Sequence, residues 1–103
     1  MPKTAQFVTC RTPDSDKEPV EIEKWKYDLM RHAILANVPS DDVGIMLKQL
    51  RPLVRNFLSR EQRQQIGRVA WYTMTVKLDL EARGEIVRIE GMRPQYLRRT
   101  VPV

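Results

Sequence analysis

Arginine is the residue type whose pattern in this sequence points most directly to a chemistry. Lysine and arginine number 18 against 13 acidic residues, a formal net charge of +5. The first basic patch, in residues 51–63, consists of Arg51, Arg55, Arg60 and Arg63. The second basic patch, in residues 91–103, has no acid and consists of Arg93, Arg98 and Arg99. Guanidinium groups bind phosphate and carboxylate in a planar, bidentate way, so the patches predict an anionic partner, with nucleic acid foremost.

A solvated surface that only aids solubility is the alternative for both patches. In the first patch, Arg51 and Arg55 share a helix face and could flank a path of phosphates, but the sequence favours a solvated helix face. For the second patch, strand arginines could equally protect a sheet edge or pair with Glu85 and Glu90.

Residues that support catalysis or metal binding are scarce. Cys10 and His32 are single, which excludes a structural zinc site and an intrachain disulfide. The sequence has no glycine-rich phosphate loop, no G-x-S-x-G and no H-E-x-x-H motif. Asp79 and Glu81, two residues apart on a helix, point in different directions. We therefore expect a binding protein that is not an enzyme and that carries no cofactor and no metal.

The length of 103 residues and the 42% of hydrophobic residues predict one small domain. Residues 1–19 contain three prolines and no periodic apolar pattern, so they are expected to form an irregular arm, with strand pairing around residues 6–9 as an option. Residues 20–103 then form the folded domain. No run of 18 apolar residues and no apolar signal region is present, which favours the cytoplasm and no membrane.

Apolar periodicity predicts three helices, from about Glu21 to Asn37, Leu47 to Leu58 and Arg68 to Arg83. The expected core side of the first helix is Tyr27, Met30, Ile34 and Val38. The expected core side of the second helix is Leu47, Leu50, Val54, Phe57 and Leu58. Pro52 implies a late start or a kink in the second helix. The polar run SREQRQQIG either closes that helix or forms a separate turn.

The third helix is apolar on two sides. Its core stripe, expected against Ile34, Leu50 and Val54, is Val69, Tyr72, Val76 and Leu80. The roughly opposite second stripe contains Trp71, Met74, Leu78 and Ala82. An exposed ribbon is predicted between them, formed by Ala70, Thr73, Lys77 and Glu81. The second stripe is either covered by the amino-terminal arm or left open as a protein interface.

Two short strands, EIVRIE and QYLRRT, follow Gly84 and are separated by the turn GMRP. Three helices followed by such a hairpin are the order of an α+β winged helix-turn-helix domain. The segment GRVAWYTMTVKLDLEARGEIVRIEGMRPQYLRR resembles the carboxy-terminal signature of an uncharacterised family of small bacterial winged-helix-like proteins. In that family a WYT to LDLEARG helix precedes a wing that ends in PQ.LRR. The resemblance covers about residues 20–100 and implies the fold, without a partner or a catalytic residue.

Winged-helix DNA binders place the third helix in the major groove and the wing on the phosphates. We expect a homodimer that contacts double-stranded DNA through Thr73, Lys77, Arg88, Arg93, Arg98 and Arg99. Glu81 on the same ribbon would repel the DNA backbone. The rival hypothesis is a protein-interaction module on the same scaffold, and its interface residues are Trp71, Met74 and Leu78.

Overall fold

Helices and strands are interspersed along the chain, which makes the fold mixed α+β. The structure is a computed structural model that describes residues 6–14, 17–91 and 93–102. The strands are β1 (Phe7–Cys10), β2 (Val20–Glu23), β3 (Ile45–Met46), β4 (Ile86–Arg88) and β5 (Tyr96–Arg99). The helices are α1 (Lys24–Asn37), α2 (Leu47–Phe57), α3 (Arg60–Ile66) and α4 (Val69–Ala82). The three-helix prediction is therefore corrected to four helices within the described residues.

The amino-terminal segment contributes a β-hairpin. β1 pairs with β2 in antiparallel register, with Val8 opposite Ile22. Part of the predicted irregular arm is thus a strand, and the first helix begins at Lys24 because residues 20–23 alternate between the two faces of this hairpin. Cys10 and Ile22 belong to the main core. Positions 1–5, 15 and 16 of the predicted arm lie outside the described residues.

The core-facing residues of α1 and α2 were predicted well, with one exception. Those of α1, from Tyr27 to Val38, are all buried, and so are Leu50, Val54 and Leu58. Phe57 is 44% exposed, and its ring meets the His32 ring edge-on at a centroid distance of 5.4 Å. Pro52 lies within α2, beyond its first turn. The missing N–H leaves the carbonyl of Lys48 without its helical donor, at a residue exposed to water.

α3 is a separate helix that the sequence left undecided. Ser59 precedes it, and the Ser59 Oγ accepts a hydrogen bond of 3.0 Å from the Gln62 N–H. In return, Gln62 Oε1 accepts one of 2.9 Å from the Ser59 N–H. This reciprocal capping box satisfies two backbone donors at the start of the helix. The Ser-x-x-Gln spacing is the sequence signal that would have located α3.

α4 is the central helix of the fold and contacts α1, α2, α3, β1 and β4. Val69, Val76 and Leu80 share one core with Ile34, Leu50 and Val54, as predicted, and Tyr72 packs half-buried at its margin. The prediction of an exposed ribbon holds for Ala70 and is wrong for Thr73 and Lys77, which are only 2% and 1% exposed, and for the Glu81 side chain, which is 5% exposed. A helix packed from this many directions leaves little of its circumference to water.

The carboxy-terminal hairpin predicted from the sequence is present, and it belongs to a three-stranded sheet. The strand order is β3-β5-β4 with both pairings antiparallel. Gly44 allows β3 to reach this sheet, since its φ is +69° and a Cβ there would lie 2.6 Å from the Leu97 carbonyl oxygen. Met92 of the turn GMRP lies outside the described residues.

Candidate nucleic-acid interface

Three neighbouring pockets that share lining residues form a basic groove, which extends from α2 towards the hairpin on one side and α3 on the other. Its middle section, between α2 and the start of α4, has a volume of about 150 Å³ and is lined by Arg51, Pro52, Arg55, Val69, Ala70 and Thr73. The section beside the hairpin, of about 550 Å³, is lined by Met46, Leu47, Lys48, Arg51, Pro94 and Gln95. The section beside α3, of about 330 Å³, is lined by Arg55, Arg60, Arg63, Gln64, Gly67 and Val69.

Two arginines are shared between neighbouring sections of the groove. Arg51 lines both the middle section and the section beside the hairpin, and Arg55 lines both the middle section and the section beside α3. None of the residues that line the three sections is acidic. The first basic patch therefore lines a surface groove, and Arg51, Arg55 and Arg60 are exposed there, which agrees with the solvated face that the sequence favoured.

The acidic residues of α4 are turned inward and paired with cations. The Glu81 side chain, 5% exposed, lies between Lys77 Nζ at 2.6 Å and the Arg88 guanidinium. Lys77 Nζ also donates a hydrogen bond of 2.8 Å to Gln95 Oε1 in the groove wall. Burial lowers the pKa of Lys77, and the hydrogen bond to Glu81 opposes that shift. Glu81 thus holds the hairpin against α4, and the repulsion of DNA expected from an exposed Glu81 has no structural basis.

Asp79 organises a second internal cluster on another side of α4, near the same carboxy-terminal end. It accepts hydrogen bonds from the Tyr27 hydroxyl, from Arg83 Nε at 2.6 Å and from the Arg11 backbone N–H at 2.9 Å. Burial, and then the hydrogen bond to Asp79, raise the pKa of Tyr27. Burial and the neighbouring Asp79 charge raise the pKa of Cys10 to about 11. This cluster anchors the amino-terminal strand and is remote in sequence from the groove-lining residues of α2 and α3.

Arg63 is the most firmly held cation of the groove. Its Nη1 donates to the Leu58 carbonyl at 2.8 Å and to the Arg55 carbonyl at 3.1 Å. These bonds tie α3 to the end of α2 and fix the guanidinium at the wall of the section beside α3. Gly67, with φ +84°, then turns the chain from α3 into α4.

The residues predicted for DNA contact do not form one exposed surface, because some of them are buried or bonded to other protein groups. Thr73 lines the groove, but its hydroxyl donates to the Val69 carbonyl at 2.8 Å. Arg88 is engaged by Glu81, and Arg99 Nη1 donates to the Val101 carbonyl at 3.0 Å. Arg93 is exposed in the hairpin turn beside Pro94, and Arg98 is half-buried on β5. Their role in DNA binding stays a prediction.

The second stripe of α4 is half-buried rather than open. Trp71 packs edge-on against the Tyr72 ring at 4.9 Å, and the Arg68 guanidinium lies 5.3 Å from the Trp71 ring centroid. Leu78 lines a depression together with Thr12 and Pro13 of the amino-terminal segment. Met74 is also half-buried. The amino-terminal segment therefore reaches one end of the stripe predicted as a protein interface.

A family assignment follows from comparison of the whole chain with known proteins. The profile of a family of unknown function, DUF6958, matches residues 7–97. The chain belongs to DUF6958. No curated protein and no solved structure matches the chain significantly. The matched range of this DUF6958 protein contains every residue that lines the basic groove.

The described part of this DUF6958 chain lacks two other kinds of feature. Across residues 6–14, 17–91 and 93–102, no group of three or more histidine, cysteine or acidic side chains is placed to hold a metal ion. No helix in the described part of the chain is long and apolar enough to cross a membrane.

Proposed function

We propose that the protein binds duplex DNA through the basic groove. The observation that carries this proposal is the acid-free lining of the groove, with Arg51 and Arg55 shared between neighbouring sections. Arginines along a phosphate backbone release condensed counterions, which supplies most of the affinity in sequence-independent binding. The burial of Glu81 between Lys77 and Arg88 keeps negative charge away from this surface.

The sheet supports a winged-helix interpretation of the fold. A short strand before α2 pairs with the second strand of the terminal hairpin, and the hairpin follows α4 directly. We interpret the hairpin as the wing, α3 as an added helix, and β1–β2 as an amino-terminal extension of this scaffold. Arg93 and Arg98 of the wing would extend the line of phosphate contacts beyond Pro94 and Gln95.

Limited reading of the base sequence follows from the burial of α4. Ala70 is exposed in the middle section of the groove, whereas Thr73 is buried with its hydroxyl engaged by Val69. Base-edge contacts need free donors and acceptors on the groove-facing helix. We therefore propose that phosphate contacts dominate the binding of DNA.

A bacterial cytoplasmic homodimer is the proposed form of the protein. The single buried thiol of Cys10 agrees with a reducing compartment.

The rival function, protein interaction through Trp71, Met74 and Leu78, has less support. All three side chains are half-buried, and the segment around Thr12 and Pro13 borders Leu78. An open apolar patch, which marks protein interfaces, is therefore reduced at this stripe.

The experiment is a salt titration of binding to a fluorescent random-sequence duplex, followed by anisotropy. Each phosphate contact contributes about 0.9 to the slope of log K against log salt. The double variant Arg51→Gln and Arg55→Gln should lose about two units of slope. The matched control, Arg11→Gln with Lys17→Gln, removes the same charge from exposed positions outside the groove. Equal slopes for the two double variants would contradict the proposal.

A further inference from the structure

We propose that the section of the groove beside α3 is a phosphate-binding site, in which Arg55, Arg60 and Arg63 surround a single phosphate group. This inference deepens the proposed function and rests on it only where the phosphate belongs to DNA. The same chemistry could come from a free phosphate, and the two sources are separated experimentally below.

The walls of this section suit a phosphate in charge, and the space between them is large enough to hold one. Three arginines and Gln64 are among the residues that line it, and no acidic residue is. Its volume of about 330 Å³ compares with about 30 Å³ for one water molecule, so a tetrahedral oxyanion fits with part of its hydration shell. Glu61, the acid of the first turn of α3, is exposed and is not part of the lining.

Arg63 is organised for binding before any ligand arrives. The Leu58 and Arg55 carbonyls both accept from its Nη1, which fixes the guanidinium plane and leaves the other nitrogens of the group for an anion. A side chain that is already ordered loses less conformational freedom on binding. Charge-assisted, bidentate contacts of this kind are the usual way in which arginine holds phosphate.

The backbone around the section fixes the remaining walls. The capping box between Ser59 and Gln62 sets the start of α3 and therefore the position of Arg60. The left-handed turn at Gly67 brings Val69, at the start of α4, to the opposite wall. The three cations are thus carried by helices whose ends are fixed locally, whereas arginines on an extended loop would move independently.

The first arm of the test uses inorganic phosphate alone. Phosphate is added at constant ionic strength, against chloride, while amide resonances are followed by NMR. We expect saturable shifts at Arg63, Gln64 and Gly67. Arg60→Gln should weaken phosphate binding about tenfold, because a charged hydrogen-bond donor is lost at an exposed position where folding is unaffected. Arg11→Gln, which removes one charge elsewhere, should leave it unchanged.

Arg63→Lys provides a second variant with the charge retained. Lysine lacks the planar fork, so phosphate binding should weaken even though the net charge is constant. A thermal melt of each variant separates loss of the site from loss of the fold. If phosphate produces no saturable shifts at these residues in the parent protein, or if Arg60→Gln and Arg11→Gln bind it equally, the inference is overturned.

The second arm uses duplex DNA and separates this inference from the proposed function. A loss of about 0.9 units of salt slope in Arg60→Gln, together with phosphate binding, assigns the site to a backbone phosphate. Phosphate binding with no DNA binding at any salt concentration supports the site, assigns it to a free phosphate, and overturns the proposed function. DNA binding without saturable phosphate binding overturns the site and leaves the proposed function standing.

Discussion

Burial decides the chemistry of individual residues in this protein. Lys77 and Glu81 have the spacing of a solvated i,i+4 pair, yet both side chains are buried, where Lys77 donates to Gln95 and Glu81 pairs with the half-exposed Arg88. Their burial depends on the hairpin, whose Gln95 lies 18 residues along the chain from Lys77. Helical periodicity records the face that a residue occupies and contains no information about which distant segment covers that face.

The Lys77 ammonium is expected to be essential for stability. Lys77→Met leaves the buried Glu81 carboxylate with Arg88 as its one remaining cationic partner, so unfolding free energy should fall by about 2 to 3 kcal/mol. Lys48→Met, at an exposed position of the groove, should change it by less than about 0.5 kcal/mol. Urea denaturation of both variants measures the difference. Similar midpoints for the two would show that the internal cluster contributes no net stability.

The Cys10 thiol should be unreactive in the folded protein. It is buried and its pKa is raised to about 11, so only about one thousandth of it is ionised at pH 8. Iodoacetamide should therefore modify it slowly until urea unfolds the chain. As the pH rises from about 9 to about 11, the unfolded chain releases this proton while the native protein keeps it. Stability should fall across that window, and less so in Cys10→Ala. Rapid alkylation of the native protein would contradict the burial.

At the scale of elements, the sequence pattern predicted those features that depend on residues close together in the chain. The core faces of α1 and α4, the stop at Gly84 and the terminal hairpin were all predicted from periodicity and turn residues. The β1–β2 pairing was no more than an option, because it depends on contacts between segments that prolines and polar residues separate. α3 was missed as a helix because its seven residues are too few to show an apolar period.

Two glycines with positive φ provide a matched pair for testing the sheet. At Gly44 a Cβ would lie 2.6 Å from the Leu97 carbonyl oxygen, whereas at Gly67 it would meet nothing within 4 Å. Gly67→Ala should cost about 1 to 3 kcal/mol from backbone strain alone, because residues with a Cβ rarely adopt its φ of +84° and ψ of −95°. Gly44→Ala should cost more, because β3 must also move away from β5. Chemical denaturation of the two variants gives the comparison, and equal losses would refute the close approach.

The candidate site emerges only at the scale of the whole molecule. Its arginines were identified from composition and spacing, but α2 alone predicts no groove. The groove needs the hairpin at one end, α3 at the other and the start of α4 as its floor. Long-range packing of this kind, together with the inward pairing of Asp79 and Glu81, is what sequence reasoning could not supply.

The division into an arm at residues 1–19 and a domain at residues 20–103 stays a prediction that truncation can test. Removing residues 1–19 would unpair β2, open the core at Cys10 and deprive buried Asp79 of the Arg11 N–H. We expect the melting temperature to drop by at least about 10 °C, since roughly 1 kcal/mol corresponds to 4–8 °C in a domain of this size. A truncated chain that melts within a few degrees of the parent would show that the folded domain begins at residue 20.

The placement of Trp71 has an optical consequence. Its indole lies near the Arg68 guanidinium and against the Tyr72 ring, and Val69 and Ala70 at the groove directly precede it in the chain. Phosphates that draw Arg68 away would change the electric field at the indole and therefore its emission wavelength. With the exposed Trp25 replaced by Phe, the remaining fluorescence should shift on adding duplex DNA and stay constant on adding chloride. Trp71 is thus an intrinsic fluorescence probe beside the proposed interface.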